Sequence, residues 1–216
     1  MTDQRLYDAV LYDLGGVFTD SPIEAVMRVG DELGTDPEQM LEIVFGPYHE
    51  DTDHPWHRLE RGELPLEDAR NEIIELGRRE GIDSDPYRML ALLASGGGPR
   101  EEVVQSVHRL RADGYRTAIV TNNAREFRDA WLTMLPFDEM FDAIVDSSAV
   151  GMRKPNPEIF HHTLRELGGI EPSRAVFLDD HEGNIRAAEA VGLHAILVGS
   201  DPAEALAALE RITSVR

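Results

Sequence analysis

Cysteine is absent from all 216 residues of this sequence. Disulfide bonds, thiolate nucleophiles and zinc sites built on cysteine are therefore excluded. Positive charge is also scarce: 21 Lys and Arg face 41 Asp and Glu, and the formal net charge is −20. This excess of negative charge argues against a broad nucleic-acid-binding surface and against binding to an anionic membrane. An anionic small molecule can still bind where a metal ion or a lysine reverses the field locally.

Long apolar runs are missing as well. No segment approaches the roughly 18 consecutive apolar residues of a membrane-spanning helix. The first six residues lack the basic-then-apolar pattern of a secretion signal. We therefore expect a cytoplasmic protein. Its 42% hydrophobic and 29% charged residues are typical of a globular protein, and its length suits one domain or one domain with an inserted smaller one.

Five short apolar runs, separated by segments of helical periodicity, predict an α/β fold with a five-stranded, parallel, doubly wound sheet. The predicted strands cover 9–12, 117–121, 143–146, 175–179 and 194–198. The predicted helices of this part cover 99–112, 124–134, 156–167, 183–191 and 202–212. Ligands of such sheets bind at the carboxyl ends of the strands.

Residues 20–95 contain no predicted strand and carry apolar residues at helical spacing, including helices at about 65–80 and 85–94. The glycine-rich stretch 95–99 reads as a linker. The sequence therefore predicts an α/β core made of 1–19 and 96–216, interrupted by an all-helical insertion at 20–95.

Polar side chains follow the predicted strands at the points where they end. Asp13 follows the first strand, Thr121 ends the second, and Asp179 and Asp180 end the fourth. Lys154 lies between the third and fourth strands. Carboxylates that converge need a cation, and oxygen ligands of this kind suit Mg²⁺. A lysine and a threonine hydroxyl suit a phosphoryl group, so we expect attack by one carboxylate on phosphorus.

Four motifs in this order resemble those of the haloacid dehalogenase-like (HAD) hydrolase superfamily. They are Tyr12–Val17, Val120–Asn123, Gly151–Pro155, and Val176–Asp180 together with Asn184. The sequence is most similar to the branch that includes the phosphatase domain of soluble epoxide hydrolase and small sugar-phosphate phosphatases. The resemblance implies a Rossmann-like five-stranded core, and it identifies the helical insertion at 20–95 as the C1 cap domain of that branch.

The resemblance also implies roles for the strand-end residues. Asp13 matches the nucleophile that forms an aspartyl-phosphate intermediate. Thr121 matches the residue that hydrogen-bonds the phosphoryl oxygens. Lys154 matches the lysine that holds nucleophile and phosphate, and Asn122 lies where a substrate-loop residue is expected. Asn123 is equally well explained as a turn residue.

The metal site implied by the resemblance holds Mg²⁺. Asp13, the backbone carbonyl of Gly15 and Asp180 would be direct ligands, and Asp179 would act mainly through water. A role of Asn184 around the metal is also expected.

Gly15 is where this sequence departs from the phosphatases it resembles. Most of them have an aspartate at this position, which protonates the leaving group and later activates water. Such groups typically contribute about 10²–10⁴-fold to the rate. The glycine favours substrates with a good leaving group, such as a sugar 1-phosphate or an acyl phosphate.

The leading hypothesis is therefore a Mg²⁺-dependent phosphatase acting on a small phosphorylated metabolite. Two alternatives remain open. One is a protein that binds a phosphoryl ligand without turnover. The other is a metal-independent 2-haloacid dehalogenase, since those relatives also lack the second aspartate. The substrate and the oligomeric state are left open.

The segment His49–Arg58 holds three histidines, a tryptophan and three acids. One interpretation is an acidic loop of the insertion with no direct role. The other is that His49, Trp56, His57 or Arg58 lines the substrate pocket, and that a histidine replaces the missing acid.

Overall fold

A computed structural model describes residues 5–214 of the chain. Its centre is a sheet of five parallel strands in the order β3-β2-β1-β4-β5. The strands are β1 Ala9–Tyr12, β2 Arg116–Thr121, β3 Ala143–Asp146, β4 Ala175–Asp179 and β5 His194–Leu197. The predicted α/β fold with a parallel, five-stranded sheet is confirmed.

The strand order determines which side chains meet. β1 lies between β2 and β4, and its last residue, Tyr12, is opposite Ile119 of β2 and Leu178 of β4. All strands run in the same direction, so their carboxyl ends lie at one edge of the sheet. Asp13, the end of β2 and the end of β4 are therefore neighbours.

Twelve α-helices lie within residues 5–214. They are α1 Pro22–Leu33, α2 Pro37–Phe45, α3 Pro55–Glu60, α4 Leu66–Glu80, α5 Pro86–Ala94, α6 Glu101–Ala112, α7 Arg128–Trp131, α8 Phe137–Met140, α9 Ser147–Val150, α10 Pro157–Glu166, α11 Glu182–Val191 and α12 Ala203–Thr213. Short 3₁₀ turns cover Arg125–Phe127 and Pro172–Arg174.

Helix starts between β1 and β2 follow from local sequence. Ser21, Asp36 and Asp85 each cap a helix by accepting a hydrogen bond from a backbone N–H of its first turn. A proline follows each of them at the first helical position, where its missing N–H costs nothing. Three of the six helices of this region thus begin with the same Asp/Ser–Pro signal.

The alternation of side chains along the strands divides the hydrophobic core. Val10 and Tyr12 of β1 pack in one cluster, and Ala9 and Leu11 pack in the cluster on the opposite face of the sheet. A third cluster is formed almost entirely by side chains of residues 23–93, with Ala124 and Phe127 added from beyond β2. This agrees with an inserted helical region, and its treatment as a separate domain with boundaries at 20 and 95 stays a prediction.

The predicted helix at 124–134 is wrong in its extent. The structure has a 3₁₀ turn at Arg125–Phe127 and a single α-helical turn, α7, which is followed by α8. Pro136 disfavours helical geometry at the residue before it. In addition, the Thr133 hydroxyl donates to the Ala130 carbonyl (2.7 Å) and competes with the helical ladder.

Three short helices, α3, α8 and α9, were not predicted from the sequence. α3 begins inside the His49–Arg58 segment, α8 precedes β3, and α9 directly follows β3. Each spans four to six residues, too few for a periodic apolar pattern to show. Among helices in the described part of the chain, none combines the length and the apolar character needed to cross a membrane.

Candidate active site

Asp13 begins the loop after the central strand. Its backbone N–H donates to the Leu178 carbonyl of β4 (2.9 Å), which extends the strand pairing by one residue. Its carboxylate accepts a hydrogen bond from the Leu14 N–H (2.7 Å) and contacts the Lys154 amine (2.9 Å). Only 9% of the residue is exposed. The nearly buried Asp13 carboxylate therefore has one oxygen in contact with the Lys154 amine.

Lys154 is the only lysine in the sequence, and it is fully buried. Its Nζ lies 2.9 Å from Asp13 Oδ1 and 2.7 Å from Asp179 Oδ2. The side-chain amide of Asn122 holds its backbone: Asn122 Nδ2 donates to the Lys154 carbonyl (2.9 Å), and the Lys154 N–H donates to Asn122 Oδ1 (2.7 Å). Asn122, predicted to contact substrate, thus has its amide engaged in positioning the lysine loop.

Asp179 has both carboxylate oxygens occupied. Oδ1 accepts from the His181 N–H (2.8 Å) and from Asn184 Nδ2 (3.0 Å). Oδ2 accepts from Lys154 Nζ and from the same Asn184 amide (3.1 Å). This carboxylate anchors its neighbours, so an indirect contact to a metal suits it better than direct ligation. The oxygen of the Asn184 amide is buried and has no partner within the described residues.

Asp180 has contacts different from those of Asp179, and they were not predicted from the sequence. The Ser21 hydroxyl donates to Asp180 Oδ2, and Ser21 also caps α1. Gly16 has a φ of 74°, and a Cβ there would lie 2.0 Å from Asp180 Oδ2. Glycine is therefore required at position 16 both by the backbone and by the carboxylate. In the sequence, Ser21 followed by Pro22 has the pattern of a helix cap, which gives no sign of the contact with Asp180.

The carboxylates of this site repel one another. Burial, only partly offset by Lys154, raises the pKa of Asp13 to about 8, and the charges of Asp179 and Asp180 add to the effect. Burial and the nearby Asp179 raise the pKa of Asp180 to about 7. Burial disfavours the charged lysine, but the two carboxylates outweigh it and raise the pKa of Lys154. One lysine thus does not balance three acids.

A divalent cation fits the side chains that are present. Asp13, Asp179 and Asp180 each offer a carboxylate oxygen, and these oxygens lie within 4.8 Å of one another. The oxygen-only donor set is the kind that Mg²⁺ prefers. The uncompensated negative charge of these carboxylates and the unpartnered Asn184 oxygen also favour a bound cation. The residues predicted to bind metal are therefore brought together, with the Gly15 backbone two residues from Asp13.

A cavity of about 500 Å³ opens beside these residues. Leu14, Gly15, Thr121 and Asn122 line it on the core side. Thr121 is buried at the end of β2. Gly15 faces the first residue of α1, since a Cβ on Gly15 would lie 3.0 Å from Pro22 Cδ. A side chain at position 15 would therefore have little room, because Pro22 at the start of the insertion lies close to it.

The His49–Arg58 segment contributes one of its four predicted pocket residues, Trp56. His57 is fully buried and accepts a hydrogen bond from the Thr52 N–H (3.0 Å). Arg58 pairs with Glu72 (3.2 Å), and the side chain of His49 is 60% exposed. These three side chains are not among the residues that line the cavity, and a histidine acting as the missing acid finds no support.

A buried ion pair connects this segment to the lysine loop. Arg153, next to Lys154 and fully buried, donates from Nε to Glu60 Oε2 (2.7 Å) and from Nη1 to the Glu50 carbonyl (2.7 Å). Glu60 also accepts from Trp56 Nε1 (2.8 Å) and from the Tyr48 hydroxyl (3.1 Å). No local pattern predicts a pairing between residues so far apart in the sequence.

Comparison with known proteins agrees with this geometry. The family model of haloacid dehalogenase-like hydrolases matches residues 7–192. The chain belongs to this family.

Two relatives of this HAD-like chain are longer proteins. Acyl-CoA dehydrogenase family member 10 of Mus musculus is 33% identical over 90% of this chain but 18% of its own length. Bifunctional epoxide hydrolase 2 of Rattus norvegicus is 36% identical over 95% of this chain and 38% of its own length. The chain thus spans well under half of the length of these two relatives.

Solved HAD-family structures share the fold over nearly the whole chain. A HAD-like hydrolase from Porphyromonas gingivalis aligns with a TM-score of 0.66 and 25% identity, covering 95% of this chain and 98% of its own. A HAD-family enzyme from Bacteroides thetaiotaomicron, in complex with magnesium and inorganic phosphate, aligns with a TM-score of 0.60 and 22% identity over 90% and 95% of the two chains. A dehalogenase in an intermediate complex aligns with a TM-score of 0.66 and 17% identity over 99% of each chain. The fold alone therefore does not distinguish phosphatase from dehalogenase.

Proposed function

We propose that this HAD-like hydrolase is a Mg²⁺-dependent phosphatase that acts on a small phosphorylated compound through an aspartyl-phosphate intermediate. The observation that carries the proposal is the arrangement around Asp13. One of its oxygens is bound by the buried Lys154, and its carboxylate faces that of Asp180. A metal-independent dehalogenase has no need of the acidic pair Asp179–Asp180.

In the first step an Asp13 oxygen attacks phosphorus and the bond from phosphorus to the ester oxygen breaks. The departing alkoxide takes a proton from water, because position 15 carries no acid. In the second step water attacks phosphorus and the bond to Asp13 breaks. The attacking water loses its proton to solvent, and free phosphate leaves with Asp13 restored as a carboxylate.

Lys154 and Thr121 provide the surroundings of the phosphoryl group in this proposal. Lys154 holds the attacking carboxylate and carries the positive charge that offsets the phosphoryl oxygens. Thr121, at the end of the neighbouring strand and on the wall of the cavity, offers a hydroxyl donor. Asn122 acts by positioning the lysine loop, through its two hydrogen bonds to the Lys154 backbone.

Mg²⁺ would be held by Asp13, the Gly15 carbonyl and Asp180, with Asp179 in an indirect role. When bound it supplies positive charge that stabilises the phosphoryl oxygens in the transition state. The magnesium and phosphate found in the Bacteroides thetaiotaomicron relative support this part of the proposal.

The test is hydrolysis of p-nitrophenyl phosphate with Mg²⁺. Asp13→Asn should lower kcat on the order of 10⁴-fold, as expected when a covalent nucleophile is removed. Asp129→Asn, an exposed acid of α7, serves as the matched control and should retain full activity. A chelator should abolish the activity and added Mg²⁺ should restore it. Equal rates for Asp13→Asn and the unmodified protein would contradict the proposal.

Gly15 favours one alternative, a protein that binds a phosphoryl ligand without turnover. Tight phosphate binding with no hydrolysis of any phosphate ester would support that alternative. Halide release from a 2-haloacid that survives the chelator would instead support the dehalogenase.

A further inference from the structure

The cavity beside the strand-end residues is walled mainly by apolar side chains. Besides Leu14 on the core side, its walls include Phe45, Trp56, Met89, Leu93, Phe127 and Trp131. The rings of Phe45 and Trp56 pack with centroids 4.7 Å apart. The cavity adjoins the site and has the size of a small-molecule pocket.

Polar side chains on the same walls have most of their hydrogen-bonding groups engaged within the protein. Both ends of the Asn122 amide bond the Lys154 backbone, and Asn123 Oδ1 accepts from the Ala124 N–H (2.8 Å). Glu60 accepts three hydrogen bonds through its two oxygens. A sugar ring placed here would bury several hydroxyl groups with few free partners, which is unfavourable.

The charges on the cavity walls restrict further which substrate can bind. Within the described residues, no Lys, Arg or His lines this cavity, and the two ionisable carboxylates on it are Asp20 and Glu60. Glu60 is neutralised by Arg153. Asp20 is exposed and lies against Gly96. A second anionic group on the substrate would therefore meet no cation and would face Asp20.

We propose that the substrate is the phosphate monoester of an apolar, uncharged alcohol, whose hydrocarbon part fills the cavity while its phosphate lies at Asp13 and Lys154. This proposal rests on the proposed function and names its substrate class. It differs from the sugar 1-phosphate that Gly15 alone suggests.

The first test measures kcat/KM with Mg²⁺ for ethyl, butyl and octyl phosphate, and for glucose 1-phosphate and phosphoglycolate. Each buried methylene should contribute about threefold to fourfold, so octyl phosphate should exceed ethyl phosphate by at least about 100-fold. A flat dependence on chain length, or a preference for the sugar phosphate or for phosphoglycolate with its additional carboxylate, overturns the proposal while leaving the phosphatase intact.

A variant pair links the effect to the cavity. Leu93 and Leu92 are neighbours on α5 and are both partly buried, but only Leu93 lines the cavity. Leu93→Gln should lower the ratio of octyl to ethyl phosphate activity about tenfold. Leu92→Gln should leave that ratio unchanged. Equal ratios for the two variants would contradict the assignment of this cavity.

A binding measurement separates this proposal from the proposed function. Octylphosphonate and ethylphosphonate are not hydrolysed by attack on phosphorus, and their dissociation constants can be compared by calorimetry. Much tighter binding of octylphosphonate without hydrolysis of any ester supports the cavity assignment and refutes the phosphatase. Equal binding of the two phosphonates refutes the cavity assignment whatever the catalytic result.

Discussion

The strand-end groups and the cavity beside them, here called the core side and the insertion side, are built in opposite ways. On the core side, strand ends bring charged groups together, with the Lys154 amine between Asp13 and Asp179. On the side of the helical insertion, the wall is apolar, and its one buried charge, Glu60, is paired with Arg153.

The difference indicates a division of labour. Under the proposed function, the groups that would bind a phosphoryl group and a cation lie at the strand ends, where the parallel strands fix their positions. In the same proposal the insertion supplies the shape and apolar surface that determine what the phosphoryl group is attached to.

After the loss expected for Asp13→Asn, the largest effect is expected from Lys154→Met, on the core side. It removes the one cation that contacts Asp13 within residues 5–214, and kcat should fall about 10²–10³-fold, as when a preorganised charge donor is lost. Steady-state kinetics with p-nitrophenyl phosphate measure the loss. Arg186→Met, which breaks an exposed pair with Glu182, is the control and should leave kcat unchanged. Full activity of Lys154→Met would show that the core side does not depend on this cation.

On the insertion side, Glu60→Gln should act on stability. It leaves the fully buried Arg153 without its main counter-charge and should lower the free energy of unfolding by about 3 kcal/mol. Glu72→Gln breaks the partly exposed pair with Arg58 and should cost about 0–1 kcal/mol. Urea unfolding measures both. Similar values for the two variants would mean that the buried pair does not connect insertion and core.

His57 makes the insertion side sensitive to acid. Burial and the charge of Arg153 lower the pKa of His57 from 6.5 to about 3. Between these values the unfolded chain binds a proton that the folded protein does not, so stability is lost as the pH falls below about 6.5. The loss at pH 5 relative to pH 8 should be about 2 kcal/mol.

Replacing the histidine tests this contribution. His57→Gln should show a smaller loss of stability between pH 8 and pH 5 than the unmodified protein, measured by urea unfolding in a chelator. The exposed His108 is the control, and His108→Gln should keep the original pH dependence. Identical pH profiles for all three proteins would rule out His57 as the source.

The smallest effect on kcat is expected at Gly15, which lies between the strand-end groups and the insertion. Gly15→Asp introduces a carboxyl group where the resemblance to phosphatases leads us to expect one, but its Cβ would lie 3.0 Å from Pro22 Cδ and 3.2 Å from Pro22 Cγ. Removing that ring with Pro22→Ala should let the new acid act. The double variant should exceed Gly15→Asp in kcat by at least about tenfold, a fraction of what a general acid contributes.

Two comparisons make this result interpretable. Pro22→Ala alone should behave like the unmodified protein, so that a gain in the double variant belongs to the acid. Equal rates for Gly15→Asp and the double variant would mean that Pro22 does not limit position 15.

Much of the core side could be predicted from the sequence because most residues there are tied to a strand end. An apolar run that stops at Asp13 or at Asp179 fixes where the carboxylate lies once the strands are parallel, and the same logic applies to Thr121. Lys154 lies between the third and fourth strands, and its role was expected from the resemblance of its motif. Ser21 was missed as a partner of Asp180 because its local role as a helix cap fully explains its position.

The insertion side could not be predicted in the same way. The contact between Arg153 and Glu60 joins residues 93 positions apart, and no periodicity reports such a pair. The sequence makes His57 a candidate pocket residue. In the structure it is fully buried and accepts a hydrogen bond from the Thr52 N–H, so its role is structural. Which apolar side chains face the cavity depends on how the helices pack, and this packing is not encoded in any short motif.

The central claim is that Asp13 accepts the phosphoryl group, and the most direct measurement is a rapid acid quench within the first turnover. Mass spectrometry of the peptide that contains Asp13 should show an added phosphoryl group that disappears as phosphate is released, and Asp13→Asn should show none. Release of phosphate at the full rate without any phosphorylated Asp13 would contradict the account.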